Sequence, residues 1–236
     1  MKTPVRKNNP NHSFQKAAKE YDAYAYLQQV VARELISRID DSALRSVLDL
    51  GCGTGAIFRV LDPKPAEFIA VDLSSEMLAQ HPKDPSVTPI QSDFNAPTLY
   101  NRTYDLIIAS SSLQWSYDLG ESFSLIAKSA KEVAFAIFTS GSLQEIHRYV
   151  GSTSPIPTKE TIETLLKRHF TGVVDIKHYP LSFPTRKAML AYLRGSGIGG
   201  DTRLDYKKSK KLITSAPFER LSFEVLFFVG KPIQGI

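Results

Sequence analysis

The sequence predicts an α/β fold built on a doubly wound, Rossmann-like sheet of five parallel strands, with an antiparallel pair of strands at one edge. Three observations predict it. Apolar runs of strand length recur from Ser46 to Thr139 with helical stretches between them. A glycine-rich turn, "VLDLGCGTG", breaks the first run at the place where such sheets hold a ligand. Two β-rich stretches then close the chain, separated by a helical, basic insertion.

The elements follow in order. Residues 1–13 are polar and basic with no apolar segment behind the charges, so they read as a flexible arm and not as a signal peptide. Residues 14–236 read as one domain. Within Phe14–Ile39 the apolar residues Leu27, Val30, Val31, Leu35 and Ile39 recur at helical spacing, which predicts one or two amphipathic helices before the sheet. The parallel strands are read at Ser46–Leu50, Glu67–Val71, Thr88–Gln91, Tyr104–Ala109 and Val133–Thr139. Helical connections are read at Ile57–Leu61, stopped by Pro63 and Pro65, at Ser75–Gln80 and at Glu121–Lys131. The edge pair is read at Gly172–Phe183 and Arg220–Gly230, with a helical insertion over 186–219.

Composition bounds the function. A chain of 236 residues with 42% hydrophobic and 22% charged residues is an ordinary globular protein, and no apolar run is long enough to cross a bilayer. A single cysteine, Cys52, excludes an internal disulfide and fits a reducing cytoplasm. The net charge of +5 decides little, but its placement is uneven: residues 186–211 hold eight basic side chains against Asp201 and Asp205. That stretch is either a solvated helix face or a docking surface for an acidic partner.

The glycine turn carries the chemistry. Its spacing is G-x-G-x-G at Gly51, Gly53 and Gly55, not the G-x-G-x-x-G of a dinucleotide turn, and Asp49 stands at the end of the preceding strand. An acid there repels a pyrophosphate. It suits a cofactor with an adenosine end, a cationic amino acid end and no phosphate, which describes S-adenosylmethionine. Asp72 ends the next strand, 21 residues beyond Gly51, where an acidic side chain accepts from both hydroxyls of a ribose; it also suits the N-cap of the following helix. After the third strand, "QSDFNAP" places Asp93 to accept from an adenine amino group and Phe94 to pack on the ring, though alone the two read as a turn residue and a core residue.

With these residues in order, the chain resembles the class I, seven-stranded S-adenosylmethionine-dependent methyltransferases. "VLDLGCGTG", Asp72, "SDF" and "YDLIIASSSLQW" carry the match over residues 46–139, although "SAKEVAFAIFT" lacks the Pro-Gly-Gly turn common before the fifth strand. The resemblance implies a cofactor site at Asp49, Gly51, Cys52, Gly53, Gly55, Asp72, Leu73, Met77, Asp93, Phe94 and Ser110. More narrowly, "FQKAAKEYDAYAYLQ", "LQW", "TSGSLQEIHRYV", "MLAYLRGSGIGG" and "LSFEVLFFVG" resemble the malonyl-acyl-carrier-protein O-methyltransferases of biotin synthesis.

That narrower resemblance implies methyl transfer to the free carboxylate of malonyl-acyl-carrier protein or malonyl-CoA. The nucleophile is already ionised at neutral pH, so the site needs no general base. It must strip water from the carboxylate and hold one oxygen in line with the methyl group. The implied acceptor-side residues are Tyr21, Gln114, Trp115, His147 and Arg194. Each also has a plain structural reading: packing for Tyr21 and Trp115, a core histidine for His147, a surface arginine before a loop for Arg194. The glycines after Arg194 are expected to admit a pantetheine arm. The basic insertion then faces an acidic carrier protein, with no nucleic acid or membrane as partner and no metal. The alternatives are a small-molecule carboxyl methyltransferase of the trans-aconitate type, whose members share "LQW", and a non-catalytic cofactor-binding partner protein.

Overall fold

A computed structural model describes residues 21–40, 43–197 and 206–233; the arm and the rest of residues 1–20 lie outside them. The described residues open with α1 (Tyr21–Tyr24) and α2 (Tyr26–Ile36). Then follow β1 (Ser46–Leu50), α3 (Ala56–Val60), β2 (Glu67–Asp72), α4 (Ser75–Leu78), β3 (Val87–Gln91), β4 (Tyr104–Ser110), α5 (Leu119–Ala127) and β5 (Ala130–Phe138). The second half holds α6 (Gln144–Val150), α7 (Lys159–His169), β6 (Phe170–Ser182), α8 (Arg186–Gly195), α9 (Tyr206–Ser215) and β7 (Arg220–Pro232).

The seven strands form one sheet in the order β3-β2-β1-β4-β5-β7-β6. The first five are parallel, and β7 inserts antiparallel between β5 and β6. The central strands read as continuous apolar runs because both faces are covered. One core, with Val47, Phe68, Leu106, Ala134, Phe223 and Phe227, lies under α2, α3, α6 and α8. The other, with Leu48, Val71, Ile107, Phe135, Leu226 and Phe228, lies under α5 and α7. The chain runs outward from β1 to β3, then returns to lay β4 on the other side of β1. The carboxyl ends of β1 and β4 therefore form the switch point where such sheets bind ligands.

Element boundaries differ from expectation most clearly around the fifth strand. The helix expected over Glu121–Lys131 starts earlier and ends at Ala127. Asp118 caps it by accepting from the Glu121 amide at 3.0 Å, and β5 begins at Ala130 opposite Tyr104. Between β5 and β6 stands α7, for which the sequence reading has no counterpart; Thr158 caps it, and Ile162 and Leu166 are its buried residues. The stop after α3 falls where Pro63 and Pro65 place it, and Lys64 Nζ donates to the carbonyls of Phe58 and Leu61 at the helix end.

Candidate functional site

A cleft partly open to solvent lies over the carboxyl ends of β1, β2 and β4. Its floor is the turn after β1. The amides of Gly51 and Cys52 both donate to the Val71 carbonyl, at 2.8 and 2.9 Å, which ties the turn to β2. Gly51, Gly53 and Gly55 all have positive φ, of 73°, 54° and 90°. At Gly51 the requirement is also steric, since a Cβ there would strike Ser112, whose own Oγ donates to the Leu50 carbonyl at 2.6 Å. At Gly53 a Cβ would meet only open space; there the left-handed backbone alone favours glycine.

Two carboxylates meet at this turn. Asp49 is 1% exposed, and neither of its oxygens has a partner. Burial, then the charge of Asp72, pushes its pKa well above the ordinary carboxylate value. Asp72 is also raised by burial, against the opposing donors at Ser74, Gly53 and Leu73; it accepts from the Gly53 amide at 2.9 Å and the Ser74 amide at 2.8 Å. It is not the helix cap: Ser74 is, accepting from the Met77 amide at 3.2 Å. With two bonds taken, lone pairs remain on Asp72 for a ligand. The Cys52 thiol is pushed up by burial and then by the two aspartates.

The wall comes from α1 and α2. Thr54 Oγ1 donates to Asp22 Oδ1 at 2.6 Å, and Arg59 pairs with Asp22 at 3.6 Å, fastening α1 over the turn. Tyr21 lines the cleft beside it, its phenol held up by burial and by the charges of Asp72 and Asp22. Gln28, 7% exposed, donates to the Ser196 carbonyl at 2.8 Å while its Oε1 has no partner.

The opposite wall is the end of β4. Ser110, Ser111, Ser112 and Trp115 line the cleft there, and the hydroxyls of Ser110 and Ser111 are buried without partners. Ser111 has φ of 64°, a left-handed conformation that costs a non-glycine residue about 1–2 kcal/mol. Gln114 holds it, Nε2 donating to the Ser111 carbonyl at 2.7 Å.

The lining holds three carboxylates, Asp22, Asp49 and Asp72, and among the described residues no lysine, arginine or histidine. That donor set suits a cationic, hydroxyl-bearing ligand and rejects a polyphosphate. Residues 47–132 match the methyltransferase domain family. The malonyl-[acyl-carrier protein] O-methyltransferase of Pseudescherichia vulneris is 34% identical over 226 residues, covering 92% of this chain and 89% of that one. The chain belongs to the malonyl-[acyl-carrier protein] O-methyltransferase family. Its fold is shared at low identity: the YcgJ protein of Bacillus subtilis superposes with a TM-score of 0.65 at 12% identity, over 86% of this chain and 99% of that one. The N-methyltransferase NodS of Bradyrhizobium japonicum, solved with S-adenosyl-L-homocysteine, gives 0.55 at 13% over 94% and 98%.

Of the residues read from the sequence, the structure gathers Tyr21, Asp49, Gly51, Cys52, Gly53, Asp72, Leu73, Met77, Phe94, Ser110 and Trp115 around the cleft. Others stand apart. Gly55 is buried against His81 and Pro82. Asp93 is exposed and turns back to accept from the Asn95 amide at 2.8 Å. Gln114 stands behind Ser111 and reaches the cleft only through it. His147 is buried on α6, sharing a 2.9 Å hydrogen bond with Ser152, and burial lowers its pKa. Arg194 is exposed on the last turn of α8 and does not line the cleft.

Of the glycines after Arg194, Gly195 is a packing position. A Cβ on Gly195 would strike the Tyr24 ring, so this glycine lets α8 close on α1; Gly199 and Gly200 lie outside the described residues. In the basic insertion, Lys208 and Lys211 donate to the carbonyls of Gly151 and Tyr149 at 2.9 and 2.8 Å, capping the end of α6. Lys207 and Lys210 are exposed, and Asp201, Arg203 and Asp205 lie outside the described residues.

Sequence reading missed Asp22, Thr54, Gln28 and Ser111. Thr54 sits inside the glycine turn and Asp22 beside Tyr21, but nothing in their spacing shows that they bond. Ser111 stands in a run of three serines, and only the backbone distinguishes it.

Proposed function

We propose that this protein transfers a methyl group from S-adenosylmethionine to the free carboxylate of a malonyl thioester on an acyl carrier protein, as an early step of biotin synthesis in the cytoplasm. The observation that carries the cofactor assignment is Asp49: a buried carboxylate with no partner, facing a cleft without a basic residue. A cationic ligand offsets that desolvation, and an anionic one deepens it. When bound, S-adenosylmethionine supplies an electrophilic methyl on a positively charged sulfur.

The chain supplies the rest. Asp72 accepts the ribose hydroxyls and Asp49 the cationic amino acid end, while Phe94, Leu73 and Met77 give apolar surface to the adenine. Tyr21 and Trp115 keep water from the reacting atoms, and α1, fastened by Asp22 to Thr54, covers the turn. Catalysis then rests on positioning and desolvation of an acceptor that is already ionised. No proton has to move. Arg194 and the exposed lysines Lys207 and Lys210 belong to a surface that meets the acidic carrier, and carrier is preferred to coenzyme A on that basis.

The test is incubation with S-adenosylmethionine and malonyl-carrier protein, malonyl-CoA or acetyl-carrier protein, followed by mass spectrometry. The expected product is malonyl-carrier protein heavier by one methyl group, with slower turnover of malonyl-CoA and none of the acetyl substrate. Methylation of a free small acid in place of either thioester would overturn the substrate assignment and leave the cofactor assignment standing.

A further inference from the structure

The cleft is divided by polarity. Its orphaned acceptors, both Asp49 oxygens and Gln28 Oε1, belong to β1 and α2; its orphaned hydroxyls, Ser110 and Ser111, stand together at the end of β4. A hydroxyl can donate, whereas a carboxylate or an amide oxygen can only accept. Among the described residues these two serines are the only unpartnered buried side chains lining the cleft that can donate a hydrogen bond. An anionic acceptor is repelled from the Asp49 and Asp72 side, so its donors have to come from here.

Resting on the function proposed above, we propose that Ser111 is a specificity-determining catalytic residue whose hydroxyl donates to the malonyl carboxylate, with Gln114 as the positioning residue that holds it there. Three observations converge on Ser111. The residue lines the cleft, and its hydroxyl is buried and unpaired. Its backbone is left-handed, where glycine would be unstrained and serine is not. The buried amide of Gln114 donates to its carbonyl at 2.7 Å, so this side chain locks a conformation that the backbone alone disfavours. The chemistry also suits the step. The carboxylate oxygen that attacks must be oriented yet stay nucleophilic, and a neutral hydroxyl on the other oxygen orients it with less loss of electron density than a fixed cation. The attacking oxygen forms the new bond to the methyl carbon as the carbon–sulfur bond breaks, and the electron pair leaves with the sulfur.

Ser111→Ala and Ser111→Gly separate the hydroxyl from the backbone. Glycine accepts the left-handed conformation, so Ser111→Gly should melt no lower than wild type, bind S-adenosylhomocysteine unchanged by calorimetry, and still lose 10- to 100-fold in kcat/KM for malonyl-carrier protein. Ser111→Thr keeps a hydroxyl and should recover part of that loss if it folds. Gln114→Met should lower kcat/KM less than Ser111→Gly in wild-type background and cause no further loss when added to Ser111→Gly. Full activity of Ser111→Gly would overturn the role of Ser111 alone, as would a loss matched by equal weakening of S-adenosylhomocysteine. Failure of wild type to methylate any malonyl thioester while binding S-adenosylhomocysteine would overturn the substrate reading, and this role with it.

Discussion

Two buried carboxylates at the same end of the sheet live in opposite surroundings. Asp49 on β1 has no partner for either oxygen. Glu224 on β7, 8% exposed, accepts from the Thr139 hydroxyl, with His178 Nε2 at 3.6 Å and Lys159 Nζ at 3.8 Å, and its backbone amide and carbonyl both bond Ser142 Oγ at 3.0 Å. Even Gly141 is fitted to it, since a Cβ there would strike the carboxylate. Glu224 ties the loop after β5 to β7 and α7. Its burial is offset within the fold. The burial of Asp49 is offset by no side chain or amide of the described fold, and in the function proposed above a cationic ligand supplies that partner.

The contrast breaks most sharply at Asp49. Asp49→Asn should weaken S-adenosylmethionine binding by about 2–5 kcal/mol, the cost of removing one partner of a buried charge pair. The same change should raise the melting temperature of the ligand-free protein. Burial raises the folded-state pKa of Asp49 above its unfolded value, so the stability linked to its protonated form is complete below the unfolded pKa and lost as pH rises through the folded one. Wild type without ligand should therefore gain less from neutral pH than the variant does. Calorimetry and thermal melts across pH test both halves, and a variant that melts lower at neutral pH would remove the distinction.

Glu224 should behave in the reverse way. Glu224→Ala strands the Thr139 hydroxyl and removes the carboxylate between Lys159 and His178, at a cost of about 1–3 kcal/mol in stability. Affinity for S-adenosylmethionine should stay within twofold. Denaturant unfolding measures the first and calorimetry the second; a tenfold loss of cofactor affinity would show that this cluster reaches the site.

The smallest effect sharpens the same contrast among cations. Lys208 and Lys211 are engaged with α6 carbonyls, whereas Lys207 and Lys210 are exposed. Reversing Lys207 and Lys210 to glutamate should slow turnover of malonyl-carrier protein a few-fold at low salt, leave malonyl-CoA unchanged, and leave the melting temperature in place. Substituting methionine at Lys208 and Lys211 should lower the melting temperature with little change in salt dependence. Equal salt dependence for both pairs would refute the division.

The sheet was legible in the sequence because parallel strands buried on both faces are continuous apolar runs, and four such runs with a half-exposed edge strand, Val87–Gln91, admit few topologies. The glycine turn was legible because positive φ and close approach are requirements that the chain satisfies locally. Asp49 and Asp72 follow from their places at strand ends. Roles decided by contact were not legible. Asp93 and Phe94 are neighbours, yet one turns to its own backbone and the other to the cleft; Gly195 reads as a loop residue and is a packing site for Tyr24; His147 reads as a candidate for chemistry and bonds Ser152 inside α6's packing. Sequence alone determined which strands pair in parallel and where the ligand turn lies, since period and turn chemistry are local properties. Which carboxylate is left unpaired, which serine is strained and which lysine is free were decided by tertiary structure, because each depends on a partner distant in the chain.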